Sequence, residues 1–262
     1  MDLELTESAV LCTAATSGLG LASARAFARE GADVAVCGRT AAHIDDARET
    51  LRAEGSGDVL AVEADITDPD HVVAFVEQTV DEFGAVDHVV TSAGGPPSGP
   101  FGEMADRDWY QAYDMLVMSA VWTLRAAEPH LRESEAGTLT AITSRTVREV
   151  KEGLLLSNAV RRAVVGLVKT VSREMAPDIR ANAVLPGAHE TSRIEELIEA
   201  AVERGEVAEY DAGYRDWAAD VPLDRIGDPE ELGDVVAFLS SPRASYVNGA
   251  ALAVDGGSMR SI

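Results

Sequence analysis

The chain has 262 residues, a length that suits one large α/β domain better than two small ones. Hydrophobic residues make up 46% of the chain, which supports a sizeable core and excludes wholesale disorder. The 45 acidic and 22 basic residues give a net charge of −23, which argues against nucleic acid or an anionic membrane as a partner.

Apolar runs and segments of helical periodicity alternate along the first part of the chain. Strands are predicted at residues 9–13, 33–37, 59–64 and 86–90, and helices at residues 19–30, 41–54 and 70–83. Gly31 ends the first of these helices, and Pro69 suits the first turn of the third.

The alternation continues to the end of the chain. The predicted elements are a long helix at 107–131 broken at most near Pro129, a strand at 138–143, a helix at 156–175, a strand at 180–184, an acidic segment at 194–217 that is helical in pieces, a helix at 229–239 and a strand at 250–254. Strands that alternate with helices imply βαβ units. We therefore predict one α/β domain over residues 1–262, with a doubly wound parallel sheet covered on both faces.

Cysteine usage and the N-terminal sequence predict a cytoplasmic protein. Cys12 and Cys37 are the only cysteines, and their isolated positions on apolar runs predict buried thiols and neither a disulfide framework nor a metal site. Residues 1–7 are acidic, which does not match a signal peptide, and no apolar run has the length of a membrane span.

The basic residues are unevenly divided, because only Lys151 and Lys169 are lysines and twenty residues are arginines. A large acidic excess with so little lysine is favoured in a salt-adapted cytoplasm. An acidic protein from an organism with arginine-rich codon usage would have the same composition. Net charge bears on solubility and not on fold, so both interpretations stay open.

A loop of small residues follows the first predicted strand. Residues 13–20, Thr-Ala-Ala-Thr-Ser-Gly-Leu-Gly, lead directly into the first helix. Glycines in such a turn let the backbone approach a pyrophosphate, which the helix N-terminus then holds. On its own, the pair Gly18 and Gly20 is equally compatible with any tight strand-to-helix turn.

The ends of the second and third strands bear on the choice of cofactor. In dinucleotide-binding folds an acid after the second strand bonds the ribose 2′-hydroxyl, whereas an arginine accommodates a 2′-phosphate. The acid is missing here and Arg39 is present, so we favour NADP(H) over NAD(H), although an exposed surface arginine would look the same. Asp65, after the third strand, can hydrogen-bond an adenine amino group, cap the following turn, or do both.

Short motifs recur in a fixed order over nearly the whole chain. They are the loop at 13–20, Ala64-Asp65, Ser92-Ala93-Gly94, Ile142-Thr143-Ser144, Asn182-Ala183-Val184-Leu185-Pro186-Gly187 with Thr191, Pro222-Leu223-Asp224-Arg225-Ile226-Gly227 before Pro229-Glu230-Glu231, and Val254-Asp255-Gly256-Gly257. In these motifs the chain resembles the short-chain dehydrogenase/reductase family, and most of all its 3-oxoacyl carrier-protein reductase-like members.

The resemblance implies a Rossmann-type domain of about seven parallel strands that interconverts a small carbonyl compound and an alcohol by hydride transfer. It implies a homodimer or homotetramer assembled through the helices at 107–131 and 156–175, and a substrate lid at about residues 188–221. The cofactor-binding residues, from the residue patterns and the resemblance together, are Thr13, Ala15, Ser17, Gly18, Leu19, Gly20, Arg39, Asp65, Ile66, Ala93, Gly94, Arg161, Pro186, Gly187 and Thr191.

The chain departs from the family in the active site. Ser144 matches the family's serine, but the positions of its tyrosine and lysine hold Ser157 and Arg161. Ala14 replaces the first loop glycine, and Leu116 occupies a position that usually carries asparagine. In the family, the tyrosine gives its proton to the carbonyl oxygen. A serine hydroxyl is far less acidic than a phenol, and arginine does not give up a proton at neutral pH.

Three hypotheses follow for this altered site. In the first, the protein is a working reductase or dehydrogenase in which Ser144 orients the oxygen, Arg161 stabilises negative charge, and Ser157 with water relays the proton. In the second, it is an inactive nucleotide-binding pseudoenzyme that acts by binding or assembly. In the third, another acid or base such as Glu149 or His189 supports a different reaction. We favour the first, since an inactive site needs neither the serine nor the cation.

Two further groups lie near the predicted substrate pocket. Arg145 and Arg148 can receive a carboxylate or phosphate of the substrate, or pair with the abundant acids nearby. The aromatic residues Tyr210, Tyr214 and Trp217 recur at helical spacing on the predicted lid. This spacing favours packing over a cage around the substrate.

Overall fold

A sheet of seven parallel strands forms the centre of the molecule and confirms the predicted fold class. A computed structural model describes residues 2–261 of the chain. The strands are β1 (Ala9–Cys12), β2 (Asp33–Gly38), β3 (Val59–Glu63), β4 (His88–Thr91), β5 (Thr138–Ile142), β6 (Arg180–Pro186) and β7 (Ala251–Val254). Their order in the sheet is β3-β2-β1-β4-β5-β6-β7, and each neighbouring pair is parallel.

Helices cover both faces of the sheet. They are α1 (Gly18–Arg29), α2 (Ala41–Glu54), α3 (Pro69–Phe83), α4 (Asp106–Tyr113), α5 (Ser119–Glu133), α6 (Leu155–Glu174), α7 (Ser192–Glu203), α8 (Tyr210–Ala219) and α9 (Pro229–Ser240). Phe27 of α1 and Leu232 of α9 belong to the core on one face, and Phe75 of α3 and Val168 of α6 to the core on the other. Within residues 2–261, no helix is long and apolar enough to cross a membrane.

The strand order changes direction at β1, which lies between β2 and β4. Leu11 of β1 pairs with Ala35 on one side and with Val89 on the other. At such a point the connections leave toward opposite faces, which opens a crevice at the carboxyl ends of the two central strands. The loops that follow β1 and β4 therefore form the walls of this crevice.

The long helix predicted at residues 107–131 is present as α4 and α5, joined by one irregular turn. Pro129 lies inside α5 without ending it, and the irregularity is a π-helical turn at Asp114–Met118. This turn brings two adjacent side chains, Leu116 and Val117, into the core. The segment is helical without a gap from Asp106 to Glu133, which confirms the long helix, and Pro129 does not break it.

The acidic segment at residues 194–217 contains α7 and α8, which confirms that it is helical in pieces. The two helices form a small core in which Ile194 and Ile198 are buried and Tyr214 and Trp217 pack beside them. The packing expected of the three aromatic residues is confirmed for Tyr214, whereas Trp217 packs here and also lines a cavity, and Tyr210 is exposed. The segment thus has its own apolar contacts beside the main sheet.

Candidate active site

A cavity of about 310 Å³ lies at the carboxyl edge of the sheet. Its walls come from the loops after β1, β4, β5 and β6, from the start of α6, and from α7 and α8. The predicted site residues that line it are Ser17, Gly18, Leu19, Gly20, Ala93, Gly94, Ser144, Ser157, Arg161, Pro186, Gly187 and Thr191. The predicted residues outside this lining are Thr13, Ala15, Arg39, Asp65 and Ile66.

The loop after β1 brings backbone amides to the cavity. Gly20 has no room for a side chain, because a Cβ there would lie 2.8 Å from the carbonyl oxygen of Ala14. The side chain of Ser17 makes no capping hydrogen bond to α1. The first amides of α1 also lack intrahelical acceptors, so they can donate to a ligand. This arrangement is an anion site of the kind that a pyrophosphate requires.

Ala14, in the same loop, has a φ of 45°, in the left-handed region that favours glycine. An L-residue with a Cβ costs about 1–2 kcal/mol in this conformation. Ala14 therefore has a backbone conformation that glycine would adopt more readily. The loop retains its shape at a cost in stability.

Thr13 and Ala15 support this loop from behind. Thr13 Oγ1 donates a hydrogen bond to the carbonyl oxygen of Ser92 at 2.9 Å and accepts one from the Ser92 amide at 3.0 Å. The Ala15 amide donates to the carbonyl oxygen of Cys37 at 3.0 Å. All three anchoring residues, Thr13, Ala15 and Cys37, are buried, so they shape the loop and do not face the cavity.

The end of β2 presents Arg39 to solvent. Nearby, Asp65 Oδ1 accepts hydrogen bonds from the Thr67 amide and hydroxyl, at 2.9 and 2.8 Å, so it caps the turn after β3. Burial raises the pKa of Asp65, but these bonds and the charges of Arg39 and His71 outweigh it and hold the pKa below its usual value. The neighbouring Ile66 is buried. The capping role predicted for Asp65 is confirmed.

The loop after β6 forms the opposite wall of the cavity. Gly187 packs so closely on Asp255 that a Cβ would lie 2.7 Å from the Asp255 Cα. The Asp255 carboxylate accepts hydrogen bonds from the amides two and four residues further on, at 3.0 and 2.7 Å. Thr191 reaches toward the loop after β1, with its Cγ2 3.6 Å from the Cβ position of Gly18. Thr191 and the start of α1 therefore border the same space.

Arg161 is a buried cation that is bound only to carbonyl groups within residues 2–261. It is 8% exposed, and it donates from Nη1 to the carbonyl oxygen of Thr143 at 3.2 Å and from Nη2 to that of Gly94 at 3.0 Å. Its Nε is buried and has no hydrogen-bond partner in this part of the chain. Burial and the charge of Arg193 lower the pKa of Arg161 to about 10, so the side chain remains positive at neutral pH.

Two serine hydroxyls lie on the same side of the cavity as Arg161. Ser144 Oγ accepts a hydrogen bond from the Thr146 amide at 3.1 Å, at the start of a short 3-10 turn. Ser157 Oγ lies 3.2 Å from Thr146 Oγ1, where either hydroxyl can donate. Thr146, a residue that sequence reasoning missed, therefore links the two predicted serines. It is 3% exposed and so holds both from the protein side.

Lys151 is a second missed residue of the cavity lining. Its Nζ lies 3.2 Å from the centroid of the Trp217 ring. Asn158 holds its backbone, because the Lys151 amide donates to Oδ1 at 3.2 Å and Nδ2 donates to the Lys151 carbonyl oxygen at 2.8 Å. Burial and the charge of Arg145 lower the pKa of Lys151 to about 8, against an opposing influence of Asp220.

Three other residues that the sequence offered as acid, base or substrate-binding cation are less well placed to act in the cavity. Glu149 lies outside the cavity lining, and its Oε1 accepts a hydrogen bond from the Arg260 amide at 2.6 Å. His189 lines the cavity, but burial lowers its pKa and its ring packs against Gly227. Arg148 also lies outside the lining and donates to a backbone carbonyl of β7. The structure thus brings His189 to the cavity and leaves Glu149 away from it.

The cavity is positive in a chain that is strongly negative. Arg193, on α7, donates to the carbonyl oxygen of Pro96 at 2.9 Å and so joins α7 to the loop after β4. It also forms a salt bridge of 3.2 Å with Glu196, the acidic residue of the lining. The cations of the lining are Arg145, Lys151, Arg161 and Arg193. Such an excess of positive charge favours an anionic ligand.

Comparison with known proteins assigns the chain to a family. A family model described as enoyl-(acyl carrier protein) reductase matches residues 13–259. The chain is 32% identical over 267 residues to the uncharacterized oxidoreductase YvrD of Bacillus subtilis, with 100% of both chains covered. It is 30% identical to the 3-oxoacyl-[acyl-carrier-protein] reductase FabG of Thermotoga maritima, with 94% of this chain and 96% of the relative covered.

A solved structure gives the same assignment. L-Sorbose reductase of Gluconobacter frateurii, complexed with NADPH and L-sorbose, superimposes with a TM-score of 0.94 at 29% identity, and 100% of both chains is covered. The chain therefore belongs to the short-chain dehydrogenase/reductase family of oxidoreductases.

Proposed function

We propose that the protein is an NADP(H)-dependent oxidoreductase that interconverts a small carbonyl compound and its alcohol through an altered proton-donor site. One observation carries the proposal: the free amides of α1, the Ser144 hydroxyl and the buried Arg161 cation border a single cavity. From the order of the chain's motifs, Ser157 and Arg161 would take the positions of the family's tyrosine and lysine. An inactive site would not need to keep a buried cation beside Ser144.

The residues of the cavity fit a nicotinamide dinucleotide. The first amides of α1 would hold the pyrophosphate, and Gly187 and Thr191 would border the nicotinamide. The orphaned Nε of Arg161 points to a hydrogen-bond acceptor from outside the protein, such as a ribose hydroxyl oxygen. When bound, the cofactor supplies or accepts a hydride at the reacting carbon.

The preference for NADP(H) rests on Arg39. Its exposed guanidinium stands at the end of β2, and its positive charge acts on Asp65 from a distance. The ribose 2′-phosphate of NADP approaches this end of the second strand in dinucleotide-binding folds. NADPH in the related L-sorbose reductase complex supports the same choice.

The catalytic side chains have separate roles in the proposed reaction. Ser144 donates its hydroxyl proton in a hydrogen bond to the substrate oxygen and so holds it. Arg161 stabilises negative charge that develops on that oxygen, since its guanidinium stays positive at neutral pH. Ser157, linked to Thr146, is placed to pass a proton along with water. An oxygen-binding donor of this kind contributes roughly 10²–10³-fold in rate.

The substrate would enter between the main sheet and residues 188–221, which we propose as a lid. Arg193 ties α7 to the loop after β4, and Trp217 of α8 contacts Lys151 on the other side of the cavity. Residues 188–221 thus contact the loop after β4 on one side of the cavity and Lys151 on the other. The sugar substrate of L-sorbose reductase and the carrier-bound ketone implied by the FabG name are the two substrate types to test first.

We also propose that the protein is a homodimer or homotetramer formed through α4, α5 and α6. Tyr110 and Tyr113 of α4 are 72% and 47% exposed, which is unusual for aromatic residues on a free surface. Light scattering after size-exclusion chromatography tests this assembly. A monomer at micromolar concentration would contradict it.

The test of the function is a binding and turnover experiment. Calorimetric titration with NADPH and with NADH is followed by NADPH oxidation assays on L-sorbose, an acetoacetyl thioester and cyclohexanone. We expect tighter binding of NADPH and measurable turnover of at least one ketone. NADPH binding without turnover on a broad carbonyl panel would favour the pseudoenzyme, and failure to bind either nucleotide would reject both.

A further inference from the structure

We infer that Lys151 is a catalytic residue of this site and that its ammonium group is the source of the proton that reaches the substrate oxygen during carbonyl reduction, with Ser157 and water relaying the proton that recharges it. The inference rests on the proposed function. It starts from the donors that the cavity offers. The titratable side chains of its lining are Arg145, Lys151, Arg161, His189, Arg193 and Glu196, and no tyrosine or cysteine of residues 2–261 is among them.

Most of these groups are poor proton donors at neutral pH. The arginines do not give up a proton there. Glu196 forms a salt bridge with Arg193, and its side chain is 63% exposed, so it is directed toward solvent. Burial holds the pKa of His189 below its usual value, so the ring is neutral. Lys151 is the remaining group of the described lining that carries an acidic proton.

The position of Lys151 is fixed at both ends of the residue. Asn158, on the first turn of α6 and directly after Ser157, holds both the amide and the carbonyl group of Lys151. The indole ring of Trp217 holds the ammonium group at 3.2 Å from its centroid. The ring face takes up the N–H bonds that point toward it, and within residues 2–261 no hydrogen bond occupies the others. They therefore remain available to an oxygen in the cavity.

The surroundings of Lys151 make its ammonium more acidic. The Trp217 ring removes water from one side, and the guanidinium of Arg145 repels the ammonium charge from the 3-10 turn after β5. Asp220, at the end of α8, acts in the opposite direction and is the weaker influence. The resulting pKa of about 8 lies close to neutral pH, where a general acid is most effective.

The proposed proton transfer accounts for every bond made and broken, in carbonyl reduction and in alcohol oxidation. In reduction, the carbonyl carbon gains a hydride from the reduced nicotinamide, an N–H bond of Lys151 breaks, and an O–H bond forms on the substrate oxygen. The neutral amine of Lys151 then takes a proton from water. In alcohol oxidation the neutral amine accepts the hydroxyl proton while the oxidised nicotinamide accepts the hydride.

The chain itself provides matched variants for a test. Lys151→Arg keeps the positive charge and the contact with Trp217 but cannot give up a proton at neutral pH. Lys151→Met removes the positive charge and the transferable proton. Lys169, the other lysine of the chain, is exposed and donates to the carbonyl oxygen of Gly249, so Lys169→Arg is the control.

We expect kcat for reduction of the best ketone of the panel to fall roughly 10²-fold or more in Lys151→Arg and Lys151→Met. Lys169→Arg should match the wild type. If Lys151 only holds the lid through Trp217, Lys151→Arg should restore the wild-type rate, and that result would overturn the inference. No turnover by the wild type would instead reject the proposed function, and the inference with it.

The pH profile adds a second readout. Wild-type kcat for reduction should fall as the pH rises through about 8, because the ammonium loses its proton, and kcat for oxidation should rise over the same range. In Lys151→Arg, kcat for reduction should not change with pH in the range around pH 8. If kcat changes near pH 8 in the same way in the wild type and in Lys151→Arg, another group causes the change, and the inference is overturned.

A third readout needs no substrate. Reductive ¹³C-methylation labels the two lysines and the N-terminal amine, and the signal that is absent in Lys151→Arg and present in Lys169→Arg belongs to Lys151. We expect the Lys151 methyl signal to titrate with a midpoint near 8. A midpoint at the ordinary lysine value of about 10.4 would overturn the inference even if a ketone is reduced.

Discussion

The two ends of the cavity differ in the groups that we propose as ligand contacts. At the β1 end the contacts come from the backbone, through the first amides of α1 and the tight turn at Gly20. At the β5 end they come from side chains, mainly Ser144, Lys151 and Arg161. Backbone contacts tolerate a change of side chain such as Ala14, whereas catalytic groups change the chemistry when they change. The proposed pyrophosphate contacts therefore depend on backbone geometry, whereas the proposed chemistry depends on the identity of three side chains.

The largest expected effect at the side-chain end comes from Ser144→Ala. Removing the hydroxyl deletes a hydrogen-bond donor to the substrate oxygen, so kcat should fall roughly 10²–10³-fold. NADPH affinity measured by calorimetry should hardly change, because the β1 end is intact. Thr170→Ala removes an exposed hydroxyl further along α6 and serves as the control. Equal kcat in Ser144→Ala and the wild type would place the chemistry elsewhere.

The next largest effect concerns cofactor choice at the backbone end. Arg39→Ala should abolish the preference for NADPH over NADH, because a charge-assisted contact to phosphate is lost. Such a contact contributes about 1.5–3 kcal/mol, which corresponds to roughly ten- to a hundredfold in Kd. Arg52→Ala, at another exposed arginine on α2, should leave the preference unchanged. A wild type that binds both nucleotides equally well would contradict this assignment of Arg39.

The smallest effect is a gain in stability from Ala14→Gly. Glycine adopts the φ of 45° without steric cost, and the relief exceeds its greater entropy in the unfolded chain. We expect the free energy of unfolding to rise by about 0.5–1 kcal/mol in a urea titration. Ala53→Gly, at an exposed helical position of α2, should instead lower it by about the same amount. A loss of stability in Ala14→Gly would show that the alanine methyl group packs favourably.

The same difference between the two ends separates the features that could be predicted from the sequence from those that could not. The order of strands and helices follows from apolar periodicity, and the loop at residues 13–20 from glycine spacing, because both patterns reflect backbone geometry. Lys151 and Thr146 were missed because they enter the cavity through tertiary contacts with Trp217 and Ser157. The scarcity of lysine was the available signal for Lys151.

Two other features had no local signal at all. The π-helical turn at Asp114–Met118 arises from the packing of Leu116 and Val117, and proline, the usual sign of an interruption, lies elsewhere in α5. Glu149 is close to Ser144 in sequence, yet its carboxylate bonds to the Arg260 amide outside the cavity. In both cases contacts between distant parts of the chain decide the outcome.

Hydride transfer at the proposed site of Ser144, Lys151 and Arg161 can be tested directly with an isotope experiment. The protein is incubated with NADPH deuterated at C4 and with each ketone of the panel, and the products are analysed by mass spectrometry. We predict an alcohol that carries one deuterium on its carbinol carbon. NADPH that binds but transfers no deuterium to any ketone would contradict hydride transfer at this site.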